Sequence, residues 1–158
     1  MNTIRKAMTS VVGLLIGLLV LTGVSGAQEF GSREEAKAMV EKAAAFLRAN
    51  GAEKAIAEFN SKGGQFIDRD LYVVMAKLSD GVRVAHGANP KMIGKSLVDF
   101  KDVEGKSYGL EILDVAKTKG TGWVDYKFSN PVTKKITDKT SYVMKVDDHV
   151  VFVGAYTK

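Results

Sequence analysis

The sequence predicts an α+β domain in which a long N-terminal helix packs on one antiparallel sheet of about five strands, with a helix-and-loop excursion over the other face. Three patterns lead there. Apolar and charged residues alternate with helical spacing after Ser32; β-branched and aromatic runs dominate from Leu71 onward; and the stretch between Val84 and Trp123 interrupts those runs with a single helical segment. The composition agrees with a globular chain: 158 residues, 46% hydrophobic and 26% charged, with 16 Gly, 2 Pro and no Cys. Disordered, collagen-like and disulfide-framework classes are excluded on those numbers.

The chain opens with a short basic head, Arg5-Lys6, then an uncharged apolar run from Val11 to Val20, then small residues at Gly23, Ser25, Gly26 and Ala27. That order is the pattern of a secretory signal peptide, with Ser25 and Ala27 at the small positions a signal peptidase requires. The apolar run is shorter than the ~20 residues that usually span a bilayer, and no later stretch approaches that length. The expected organisation is therefore a leader over residues 1–27 and one domain over residues 28–158, exported and without a membrane span once the leader is removed. A domain of that size buries about two thirds of its unfolded surface. Loss of the two leader charges takes the formal charge from +5 to +3, because every acidic residue lies beyond position 28. A charge of that size favours solubility and gives no reason to expect a nucleic-acid partner. The lack of cysteine removes disulfides, thiolate metal sites, a cysteine nucleophile and a lipid-anchored N-terminus.

Ser32 and Glu35 form a capping-box pair at the head of the first helix. Ala36, Met39, Val40, Ala43, Phe46 and Leu47 supply its apolar stripe, and Asn50-Gly51 is read as its left-handed stop. Ala55, Ile56 and Phe59 predict a second, shorter helix ending before Lys62-Gly63-Gly64. Leu71–Met75 is apolar throughout, as expected of a strand covered on both faces. Ser79-Asp80-Gly81 turns it into a return strand over Val82–His86. Beyond Asn89-Pro90 come a helix over Ser107–Lys117, a break at Lys119–Gly122, and strand-like runs at Trp123–Phe128, Thr140–Val146 and Val150–Tyr156. A cover made of loops and one helix leaves gaps above the sheet, and such gaps are where small ligands bind.

The succession of motifs is also specific. Asp70-Leu71-Tyr72-Val73 precedes Asp80-Gly81, Ala85-His86-Gly87, Asn89-Pro90 and Ile93-Gly94-Lys95-Ser96-Leu97. Gly120–Tyr126, Asn130-Pro131-Val132-Thr133, Lys139–Val143 and Gly154-Ala155-Tyr156 follow in order. Over most of residues 33–157 this resembles the single Cache domains, the extracytoplasmic sensor modules of bacterial chemoreceptors and sensor kinases. It resembles the stand-alone, secreted members of that family, and on that resemblance no output module is expected after Lys158. The resemblance implies a PAS-like sheet and a pocket on the face away from the long helix. The ligand it implies is a small organic acid or amino acid, held without chemistry.

On that footing Lys139 is the expected cation for a ligand carboxylate, through a charge-assisted hydrogen bond. Tyr72, Tyr126 and Tyr142 each combine an apolar ring with a hydroxyl and are candidates for the pocket wall. Strand alternation puts Phe128 on the face of Tyr126 and sends Trp123 to the other. His86, at the end of the return strand, could donate to an anion or sense pH. His149 is expected to be solvated in the Asp147-Asp148 turn. No phosphate loop, nucleophile elbow, zinc signature or calcium-loop spacing is present, so no catalytic role, cofactor or metal is expected. The alternative function is a protein-interaction module that docks on a membrane sensor or on itself. The leader reading predicts a mature N-terminus near Gln28; mass spectrometry of periplasmic protein checks it, and intact Met1 on membrane-bound protein would overturn it.

Overall fold

In a computed structural model, which describes residues 30–157, α1 (Arg33–Phe59) leads into β1 (Ile67–Asp68), β2 (Leu71–Tyr72), β3 (Val74–Lys77) and β4 (Arg83–His86). Two single-turn 3-10 helices (Pro90–Met92 and Leu97–Asp99) and α2 (Tyr108–Thr118) form the excursion, followed by β5 (Thr121–Ser129), β6 (Ile136–Val146) and β7 (His149–Tyr156). The expected leader lies outside the described residues. Among the described residues no helix is long and apolar enough to cross a membrane.

The capping box forms as its sequence requires. Glu35 N–H donates to Ser32 Oγ at 3.1 Å, and Ser32 N–H donates to Glu35 Oε2 at 2.7 Å. The two predicted helices follow each other within α1 and meet at Gly51, whose φ of 79° and ψ of 166° are non-helical and kink the element there. Its buried stripe (Ala36, Val40, Ala43, Ala44, Leu47) is mostly alanine, which lets the helix axis sit close to the sheet. Phe59 and Phe66 meet edge to face at 4.7 Å and close the far end.

The main sheet is antiparallel, in the order β4-β3-β7-β6-β5. β7 lies at its centre and is buried at every residue. The single strand expected over Leu71–Met75 divides at Val73, with β2 pairing β1 in a separate two-stranded ribbon and β3 entering the sheet. One sheet face, with Met75, Val146, Val151 and Val153, packs on α1. The other, with Val74, Val124, Val143 and Phe152, packs under Ile112, Leu113 and Ala116 of α2. The excursion also caps both edges. Arg83 N–H donates to Lys95 O at one edge; at the other, Lys127 N–H donates to Asp102 Oδ2 and Lys106 Nζ to Asp125 O. Capped edges resist pairing with other chains. His149 is buried rather than solvated, with Nδ1 2.6 Å from Asp148 Oδ1.

The start of α1 is tied to the β1–β2 turn. Asp70 is fully buried and accepts from Gly31 N–H at 2.7 Å and from Asn130 Nδ2 at 3.1 Å. Arg69 donates to Phe30 O and to Glu35 Oε1, and its hydrogen bonds to Asp68 and Glu35 raise its pKa further above its usual value. Removal of the Asp70 carboxylate leaves two buried donors without an acceptor. Asp70→Ala is expected to lose about 2–4 kcal/mol of stability, since buried donors stripped of a charged partner are costly. Urea unfolding reads this, and a loss below about 1 kcal/mol would show that the tie is incidental.

Candidate functional site

The register of the sheet assembles a polar cluster on the α2-facing side. Lys139 on β6 stands opposite Tyr126 on β5 and Tyr156 on β7. Gly154 makes room for it: a Cβ there would fall 2.0 Å from Lys139 Cε and 2.5 Å from Ser141 Oγ. The lysine stem therefore lies flat over the Gly154 backbone, and the ammonium ends in an aromatic cage. Lys139 Nζ donates to Tyr72 Oη at 2.8 Å and to Tyr156 Oη at 3.1 Å. It also lies 4.2 Å and 4.3 Å from the ring centroids of Tyr72 and Tyr156. Tyr156 Oη passes its own proton to Ser129 O at 2.8 Å.

Lys139 is only 3% exposed and makes no salt bridge among the described residues. Burial pushes its pKa down from 10.5 to about 7, with the nearby Asp70 carboxylate opposing the shift. Burial likewise raises the phenol pKa values of Tyr72, Tyr126 and Tyr156, so all three stay protonated and can donate. Two of the three ammonium protons have acceptors, and the third has none among the described residues.

A small cavity adjoins this cage, about 10 Å³ in volume and hence large enough for one water. Tyr72, His86, Tyr126, Phe128 and Lys139 all line it, so five of the six residues expected from sequence come together. Tyr142 does not. Three residues from Lys139 along β6, it points to the other sheet face, packs beside Trp123 at 5.0 Å and lies under Lys37 of α1. The alternation that separates Trp123 from Tyr126 applies equally to Lys139 and Tyr142.

His86 stacks on Tyr72 at 5.0 Å, and its Nδ1 accepts from Asn89 N–H at 3.0 Å. That bond leaves the proton on Nε2. Burial, then the charges of Lys139 and Arg83, push its pKa down to about 3. His86 is thus a neutral donor near neutral pH and does not act as a pH sensor there. An outer recess of about 280 Å³ shares Tyr72, His86 and Phe128 with the cavity and adds Asn89, Asn130 and Lys134.

Arg83, Tyr108 and Tyr156 belong to the cluster and were not anticipated. Alternation along β7 from Phe152 and Gly154 marks Tyr156 as facing the same side; Arg83 and Tyr108 carry no such local signal, since the excursion folds them in. No carboxylate lines the cavity, whose cations are Lys139 and Arg83. Among the described residues no group of three or more His, Cys, Asp or Glu could hold a metal ion.

The sequence matches the family described as Single Cache domain 2 over residues 7–158. Among curated proteins none matches. Solved structures with the same fold include one described as "Structural basis for carboxylic acid recognition by a Cache chemosensory domain" (TM-score 0.61, 23% identity, 79% of this chain and 88% of that one). A methyl-accepting chemotaxis protein from Vibrio parahaemolyticus RIMD 2210633 aligns with TM-score 0.64 at 23% identity, over 78% and 86% of the two chains. A periplasmic sensor domain of a chemotaxis protein aligns with TM-score 0.60 at 25% identity, over 79% and 90%.

The buried ammonium predicts a pH signature. Between pH 7 and 10.5 the unfolded chain holds the Lys139 proton that the folded chain has released. Stability therefore rises with pH across that window, and the penalty of burying the charge is complete below it. Lys139→Met, which fills the space without charge, is expected to raise stability by about 1–3 kcal/mol near pH 6.5 and by less near pH 9.5. Urea midpoints at the two pH values check this; equal gains at both would mean Lys139 keeps its proton when folded.

Proposed function

The chain belongs to the single Cache domain family, and from that premise we propose that it is an extracytoplasmic, sensor-type module that binds a small organic acid or amino acid and performs no reaction on it. The observation that carries this reading is Lys139: a buried ammonium with an unused donor, beside a cavity that no carboxylate lines. A buried cation without a counter-charge is costly, and a ligand carboxylate supplies that charge. The phenols of Tyr72 and Tyr156 hold the ammonium in place, and the neutral Nε2–H of His86 offers another donor at the mouth.

A cavity of about 10 Å³ is too small for even a two-carbon acid, so entry requires its wall to move. Tyr72, His86 and Phe128 separate cavity and outer recess, and their outward rotation would join the two volumes. Export through the leader over residues 1–27 would place the module where external metabolites reach it. The carboxylic-acid-recognising Cache domain of the same fold is consistent with this ligand class.

A thermal-shift screen of organic acids and amino acids tests the proposal, because a ligand that binds only the folded state stabilises it by mass action. For an acid that binds, Lys139→Ala is expected to weaken affinity by roughly tenfold to a hundredfold, or about 1.5–3 kcal/mol. Lys139→Arg should not restore it, since a planar fork does not replace a compact ammonium. Affinity should also fall as pH rises above 7, where the free site loses the proton that pairs with the carboxylate. Calorimetry reads all three; unchanged affinity in Lys139→Ala removes Lys139 from the site. A screen in which no acid or amino acid shifts the melting temperature overturns the ligand reading and leaves the docking alternative.

A further inference from the structure

We propose that Arg83 and Tyr108 form a second polar anchor in the Lys139 cavity, so that the site selects short acids bearing another oxygen acceptor (hydroxy, oxo or second carboxylate) over plain alkanoates. The inference rests on the acid-binding reading above and specifies the class of acid. Its first support is Tyr108, only 2% exposed, which lines the cavity and whose Oη accepts at most a poorly formed hydrogen bond from the neighbouring Arg83 guanidinium and donates to no partner among the described residues. Buried hydroxyls in native folds nearly always have one, so an unused donor facing a cavity points to an acceptor brought by something else.

The second support is Arg83, also 2% exposed, which makes no salt bridge among the described residues. Its Nη1 donates to Lys95 O at a long 3.4 Å, its guanidinium rests 4.2 Å from the Phe100 ring centroid, and it also makes a polar contact with the Tyr108 hydroxyl. The two groups are neighbours: burial raises the Tyr108 pKa, and the Arg83 charge opposes that rise.

Their placement separates them from the first anchor. β4, which carries Arg83, lies three strand spacings from β6, which carries Lys139, or roughly 14 Å between strand axes. Both side chains are long and line the same cavity, which they reach from strands on either side of β3 and β7. Tyr108 comes down from the head of α2 and stacks on Tyr126 at 4.3 Å with an interplanar angle of 5°. Tyr126 is the register partner of Lys139, so this stack bridges the two cationic ends. A plain alkanoate bound through Lys139 would set its methylenes against the Arg83 guanidinium and Tyr108 hydroxyl. Those donors would lose access to water and gain no acceptor. An acid with a second oxygen satisfies them, and sites built on buried donors discriminate strongly against analogues that lack the acceptor.

Calorimetry with carbon-matched pairs tests this: propionate against lactate and pyruvate, butyrate against malate and succinate. At least one oxygenated acid should bind at least about tenfold tighter than its alkanoate. Tyr108→Phe keeps the ring and its stack and should shrink that ratio severalfold; Arg83→Met should shrink it further for the dicarboxylates. Equal affinities within each pair, or a ratio untouched by Tyr108→Phe, would overturn the second anchor. If alkanoates bind with full Lys139 dependence and no preference, only this inference fails. If no acid binds, the acid-binding reading fails and this inference with it. Should Arg83→Met not fold, Tyr108→Phe decides alone.

Discussion

The Lys139 ammonium is held in an aromatic cage by hydrogen bonds to two phenols, and much of the α2-facing side of the sheet is arranged around that fact. Its stem crosses Gly154 because any side chain there would occupy the same space. Its head needs Tyr72 from β2 and Tyr156 from β7 at once, which fixes how the small β1–β2 ribbon sits against the main sheet. A charge buried this way is destabilising by itself: burial moves its pKa from 10.5 down to about 7 even against the opposing Asp70 charge. Cation–π contacts and hydroxyl acceptors recover part of the cost, and the nearby Asp70 carboxylate recovers a little more. A methionine would fill the same space at lower cost, so the charge is best understood through what it can bind.

The same cluster is mechanically continuous with the long helix. Arg69, Asp70, Leu71 and Tyr72 are consecutive, yet they face different tasks. Arg69 and Asp70 hold the backbone at Phe30 and Gly31, where α1 begins, while Tyr72 holds Lys139. Asp70 also reaches Asn130, whose neighbour Ser129 accepts from Tyr156. A displacement of Tyr72 by an entering ligand would thus act on a segment two residues from the helix anchor. This is a route of packed and hydrogen-bonded atoms; coupling along it would require two discrete arrangements of the β1–β2 turn.

Periodicity made the fold readable from sequence, and it also set the limits of that reading. The helix cap at Ser32-Glu35, the turn at Asp80-Gly81 and the three C-terminal strands are local signals, and each appears where its residues put it. Gly51 interrupts the helical path with a positive φ, where Asn50-Gly51 marked a stop, and Ala55 and Phe59 bring the second helical segment back onto the same core. Val73 split an apolar run that no local rule divides. For the site, strand parity was sufficient to group Tyr126, Phe128 and Lys139, and applied consistently it removes Tyr142. Arg83 and Tyr108 lay beyond such reasoning, because what brings them together is the path of the excursion, set by contacts far apart in sequence.

That excursion answers three structural demands with one segment. It pairs Lys95 and Ser96 with the β4 edge, sends Asp102 and Lys106 to the β5 edge, and lays α2 across the sheet face between them. A continuous second sheet or a longer helix would cover the face better but leave no opening. Here the gap falls between the Asn89-Pro90 turn and the head of α2, over a part of the α2-facing side where cations, phenols and an imidazole converge. The polar groups are therefore concentrated where the cover is thinnest. In a merely structural domain that arrangement would be a weakness, since each buried donor without an acceptor costs stability. In a binding module the same donors, held rigid by β6 and β7 below and by the stacked Tyr108–Tyr126 rings above, are already oriented before a ligand arrives.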